Sequence, residues 1–73
     1  MRKKGLLNQR VGANLRALRQ ERGLTQEALA ELLGNDRTYL AGIERGERNL
    51  TLDTIEVLAA DLDVDPMELL AER

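Results

Sequence analysis

The sequence predicts an all-α domain of five short helices, and three observations carry that prediction. Apolar residues recur at helical spacing, as in Val11, Leu15 and Leu18 at i, i+4 and i+7. Capping residues punctuate the chain: Thr25, Asp36, Thr51 and Asp65 each stand just before a helix-forming run. Glycines close three of the runs, at Gly23, Gly34 and Gly46. No alternating strand pattern competes with this reading.

The first helix runs from about Leu6 to Arg22 and ends at Gly23. Thr25 caps a second, Gln26 to Leu33, with Leu29, Leu32 and Leu33 apolar and Gly34 closing it. Asn35 and Asp36 make the turn, and Asp36 is placed to cap a third helix from Arg37 to about Arg45. Gly46 stops that helix. The polar loop "ERNL" follows, in which Asn49 either satisfies its own backbone or faces a partner. Thr51 caps a fourth helix to about Leu62, with Leu52, Ile55, Leu58, Ala59 and Leu62 on one stripe. A short fifth begins at Asp65, with Pro66 at the first helical position, where a missing N–H costs nothing.

At 73 residues the chain is one small domain, in the range where folding alone is marginal. It has no cysteine and no histidine, which removes disulfides, the commonest catalytic base and the commonest metal ligand. Stability must come from aliphatic packing, helix caps or self-association. No apolar run is long enough to span a membrane, and the start "MRKKGLLNQR" lacks the apolar segment of a signal peptide, so a cytoplasmic location is expected.

The net charge of −2 hides a gradient. Met1 to Arg22 holds seven basic residues and one acid, Gly23 to Asn49 three and five, and Leu50 to Arg73 one and seven. If the fold keeps these regions apart, it presents a basic face and an acidic one, and local potential rather than the total steers a polyanion.

The chemistry-bearing segment is Gln26 to Arg45. A turn of three residues, Gly34 to Asp36, makes its two helices cross steeply rather than lie antiparallel. Such a crossing needs a small residue in the first helix, a positive-φ residue at the turn and apolar anchors in the second. Ala30, Gly34, Leu40 and Ile43 supply these, with Leu29 beside them. This is a helix-turn-helix constellation. The third helix is rich at its tip, with Arg37, Thr38 and Tyr39, and bare in its middle, with Ala41 and Gly42.

The run from Leu15 to Ala59 resembles the Xre-type, lambda-repressor-like helix-turn-helix domains. Its segment "RTYLAGIERGERN" is especially similar to the small controller proteins of restriction–modification systems. The resemblance covers about residues 8 to 71 and implies a five-helix DNA-binding domain acting as a symmetric dimer, with the third helix as recognition helix. Under that reading Arg37, Thr38 and Tyr39 contact bases. An arginine donating to guanine O6 and N7 is worth about 1–3 kcal/mol of discrimination. Ala41 and Gly42 then give the backbone clearance in the groove, although packing explains Gly42 equally well. Many relatives carry a polar residue at the Gly42 position, so readout here leans more on DNA shape.

The resemblance further implies phosphate contacts from Gln26, Arg45, Arg48 and Asn49, the alternative for Arg48 being a solvated charge. It implies a structural ion pair between Arg19 and Glu44, against a simply exposed glutamate. Lys3 and Lys4 are expected to form a basic arm that frays without DNA. Val57 off the fourth helix's inner stripe and Met67 near the surface suggest a homodimer interface within the acidic region of about residues 50–73.

Double-stranded DNA and a second copy of the chain are therefore the expected partners, with no membrane, cofactor, metal or small-molecule ligand. Activity as an enzyme is not expected, because no catalytic constellation is available. One tyrosine makes a poor stacking platform for RNA. The alternatives are another small Xre-type regulator, or an antitoxin whose main partner is a protein, for which the five-helix reading leaves little spare sequence.

Overall fold

The computed structural model describes residues 5–72 and contains, among them, five helices and no strand. They are α1 (Leu6–Glu21), α2 (Gln26–Leu33), α3 (Arg37–Glu44), α4 (Leu52–Leu62) and α5 (Pro66–Leu70). The local chemistry of the caps sets most of these limits. The side chains of Thr25, Asp36 and Thr51 accept the N–H groups of Ala28, Tyr39 and Thr54 at 3.1, 2.7 and 3.0 Å. Asp65 accepts from Met67 N–H at 2.9 Å, while its own N–H donates to Glu68 at 3.1 Å, so α5 begins with a reciprocal cap ahead of Pro66.

One aliphatic core joins all five helices. Val11, Leu15 and Leu18 of α1 meet Leu29 and Ala30 of α2 and Leu40 and Ile43 of α3. Ile55, Leu58, Ala59 and Leu62 of α4 and Leu69 of α5 complete it. Leu52 does not join the stripe assigned to it: it is 74% exposed, and the stripe of α4 enters the core only at Ile55. Two helix ends, at Glu21 and Glu44, fall one residue inside the expected limits.

Helix α1 is the scaffold, packed against both α3 and α5. Its contact with α3 is so close that a Cβ at Gly12 would overlap the carbonyl oxygen of Ile43 and lie 2.9 Å from that of Glu44. Its contact with α5 is polar. The buried Asn14 donates both amide hydrogens, to the carbonyls of Leu69 at 2.8 Å and Ala71 at 2.7 Å, closing the end of a helix too short to close itself. Arg22 at the far end of α1 donates to the Leu62 carbonyl at 2.5 Å and so ties down the last turn of α4.

A buried charge pair completes the attachment of α3. Arg19 donates through Nε and Nη2 to the two carboxylate oxygens of Glu44, at 2.7 and 3.1 Å, and through Nη1 to the Leu24 carbonyl at 2.9 Å. The Glu44 side chain is only 4% exposed. Removing one partner of such a pair strands the other without solvent.

Two stability outcomes follow from these contacts. Gly12→Ala is expected to lower the free energy of urea unfolding by about 1–3 kcal/mol through overpacking. Helix propensity alone predicts a gain of roughly 1 kcal/mol, so the sign of the change distinguishes the two effects. Arg19→Ala is expected to cost about 3–5 kcal/mol, with Arg19→Lys falling between it and the parent because the paired hydrogen bonds are lost but the charge stays.

Candidate nucleic-acid interface

The site is built around the short connection from α2 to α3. Helix α2 stops at Gly34, which takes φ 69°, a left-handed conformation that costs glycine little. Asn35 N–H then donates back to the Ala30 carbonyl at 2.9 Å, and Asp36 caps α3 immediately afterwards. With Ala30, Leu40 and Ile43 buried at the crossing, α3 keeps its apolar face inward and leaves Arg37 and Thr38 exposed at its N-terminal tip.

A polar chain links that tip to the scaffold. Gln26, at the first position of α2, donates to Glu44 Oε1 at 3.0 Å and accepts from Arg37 Nη1 at 3.4 Å. Arg19, Glu44, Gln26 and Arg37 thus run in sequence from α1 to the start of α3. Gln26, expected as a phosphate contact, thus has one amide hydrogen and its amide oxygen engaged within the protein.

The remaining candidates lie in and after α3. Tyr39 is half-buried, its side chain packed against the core, and the Arg48 guanidinium carbon lies 5.0 Å from its ring centroid. Exposed Arg45 pairs with Glu47 at 3.0 Å. Hydrogen bonding and charge from Arg45 hold the Glu47 carboxyl below the usual carboxylate range, and Glu47 raises Arg45 in return. Glu47 therefore stays ionised at neutral pH and competes with any phosphate for Arg45. Asn49 Oδ1 accepts from Asn8 Nδ2 at 3.2 Å, and Asn8 Oδ1 accepts from Leu50 N–H at 3.1 Å. Asn8 fastens this loop to α1, a role with no local signal in the sequence.

The bare middle of α3 is not what the sequence suggested. Ala41 and Gly42 are both buried, so Ala41 offers no clearance to a groove. Gly42 is covered by the Arg48 side chain, which favours packing as the use of that glycine.

Helix α1 packs against α5, and among the described cations of the basic segment Arg10 approaches the exposed Glu72 at 3.9 Å, Arg19 holds Glu44 and Arg22 holds the Leu62 carbonyl, while Arg16 is exposed. Among the described residues, Arg10 and Glu72 bring one basic and one acidic side chain together where α1 meets α5. Exposed Arg37, Arg45 and Arg48 supply the positive charge of α3 and its following loop. The expected arm at Lys3 and Lys4 lies outside the described residues. Val57 and Met67, on α4 and α5, are 58% and 66% exposed.

Comparison with known proteins agrees with this geometry. The helix-turn-helix family model matches residues 15–69. The control protein C.SmaI of Serratia marcescens is 41% identical over 63 residues, which is 86% of this chain and 75% of that protein. The crystal structure of the restriction–modification controller protein C.AhdI from Aeromonas hydrophila superposes with a TM-score of 0.80 at 46% identity, covering 93% of this chain and 99% of that one. A tetramer of the controller protein C.Esp1396I in complex with its natural 35 base-pair operator matches with a TM-score of 0.75 at 39% identity, over 88% of this chain and 84% of that one. With the fold, the short connection between the packed helices α2 and α3 and these relatives in agreement, the chain belongs to the Xre-type helix-turn-helix family of DNA-binding transcriptional regulators.

Proposed function

We propose that the protein works as a homodimer on a two-fold symmetric operator, reading bases with the tip of α3, in the manner of a restriction–modification controller protein. The observation that carries this reading is the exposed Arg37, aimed by Gln26 and backed by the buried Arg19–Glu44 pair. A base-reading arginine needs a fixed starting direction, because its fork must meet two acceptors at once. Thr38 beside it offers one hydroxyl and one methyl to a neighbouring base.

Phosphate contacts would come from Arg45, Arg48, Asn49 and the second amide hydrogen of Gln26. They position α3 without specifying sequence. Tyr39, half-buried beneath Arg48, contributes through that arginine and at its exposed edge.

Dimerisation is assigned to α4 and α5, roughly residues 50–73, with Val57 and Met67 in the interface. Both are large apolar side chains that the isolated chain leaves in water. Burying these side chains against a symmetry mate stabilises a domain whose sequence has no cysteine for a disulfide. Two recognition helices placed this way address half-sites roughly 10 base pairs, or one helical turn, apart. Exposed Asp53, Glu56 and Asp61 on α4 repel DNA from the wrong side. The working location is the cytoplasm; no described helix is long and apolar enough to cross a membrane.

Binding-site selection from random duplexes, at one stated salt concentration, tests the recognition half of this proposal. Wild type is expected to enrich a two-fold symmetric site, and Arg37→Ala to blur one position in each half-site. Enrichment of nothing by wild type would end the regulator reading. Sedimentation tests the other half. Val57→Asp and Met67→Asp are expected to shift the protein from dimer to monomer without lowering helix content, and a wild type that sediments as a monomer at micromolar concentration would contradict the assigned dimer.

A further inference from the structure

Gly42 is the poorest choice, proline apart, for the interior of a helix only 8 residues long. Its surroundings supply a reason. After α3 the chain doubles back: Gly46 N–H donates to the Ile43 carbonyl and Glu47 N–H to the Gly42 carbonyl, each at 2.9 Å. That turn returns Arg48 alongside the helix that it has just left. The Arg48 stem then lies across Gly42, where an added Cβ would sit 3.1 Å from Nε and 3.3 Å from Cγ. Three residues earlier, on the same face of α3, the Tyr39 ring receives the guanidinium at 5.0 Å. Tyr39 is itself fixed by packing against the core.

From this arrangement we propose that Gly42 is a positioning residue for DNA recognition: its missing side chain is the seat that holds Arg48 against Tyr39 on the flank of the recognition helix. Arg48 and Tyr39 then act as one unit. The flank of α3 presents to DNA a cation delivered from the following loop instead of a side chain from position 42. A long, flexible arginine free in solution loses rotamer freedom when it grips a phosphate, whereas a seated one has lost much of that freedom already. Position 42 thereby sets where along the groove this charge falls. The inference rests on the reading of α3 as the DNA-facing helix.

Three variants, Gly42→Ala, Arg48→Ala and the double variant, test it together with wild type. In the free protein, the Arg48 δ-protons are expected to show the upfield ring-current shift of a group over Tyr39, and Gly42→Ala to reduce it. Gly42→Ala should also melt at or above the wild-type temperature, because alanine is the better helix former. Against the duplex enriched by wild type, Arg48→Ala is expected to weaken binding and to lower the slope of log K against log salt by about one per protomer. Gly42→Ala should lower both in the same direction, and the double variant should bind within about twofold of Arg48→Ala, since an absent arginine needs no seat. Unchanged affinity in Gly42→Ala, or losses that multiply in the double variant, would overturn the proposal. Multiplying losses would mark Gly42 as groove clearance instead. If wild type enriches no duplex, the regulator reading fails, whereas enrichment with an unshifted Arg48 rejects the seat alone.

Discussion

Glu44 is a carboxylate at the end of α3 whose side chain is only 4% exposed, and the placement of that helix depends on its being paired with Arg19. Two hydrogen bonds from the guanidinium satisfy both carboxylate oxygens, and the Leu24 carbonyl takes a third from the same group. The pair therefore ties together the end of α1, the loop before α2 and the end of α3. Its second consequence is directional. Because Glu44 Oε1 also accepts from Gln26, and Gln26 accepts from Arg37, the orientation of the scaffold reaches the tip of α3 through three side chains in contact. Arg37, proposed above to read a base edge, is thus linked to the scaffold before any DNA arrives.

Backbone proximity does what the charge pair cannot. Ion pairs tolerate small shifts, whereas the approach of α1 to the Ile43 and Glu44 carbonyls leaves no room for even one carbon at Gly12. That contact fixes the separation of the two helices, and Leu15, Leu40 and Ile43 fill the space around it. Two glycines thus serve α3 in different ways. Gly12 lets another helix come close from inside, while Gly42 leaves room for a side chain outside.

Most of the fold was legible because its signals are local. Thr25, Asp36, Thr51 and Asp65 cap the helices they precede, each accepting from an N–H two or three residues on, a distance that sequence reading spans easily. Leu52 misled because periodicity continues to the end of a helix even where the neighbouring core does not. Gly12, Asn14 and Asn8 carried no signal, since their partners lie 31, 55 and 41 residues away in the cases of Ile43, Leu69 and Asn49. The candidate site divides in the same way. Exposure of Arg37 and Thr38 follows from the cap and the apolar anchors. The burial of Ala41 and Gly42 depends on what packs against them, including an arginine returned by a turn. Linear charge blocks likewise do not show that α1 lies against α5, where Arg10 approaches Glu72.

The proposed DNA-facing surface is the tip of α3 with the loop after it. Its most direct test is a titration of isotopically labelled protein with the duplex that it enriches, followed by amide and arginine side-chain NMR shifts. The largest changes are expected on Gln26, Arg37, Thr38, Tyr39 and Arg48, with the exposed acidic side of α4 nearly unmoved. Changes concentrated on α4 and α5, with α3 silent, would contradict it.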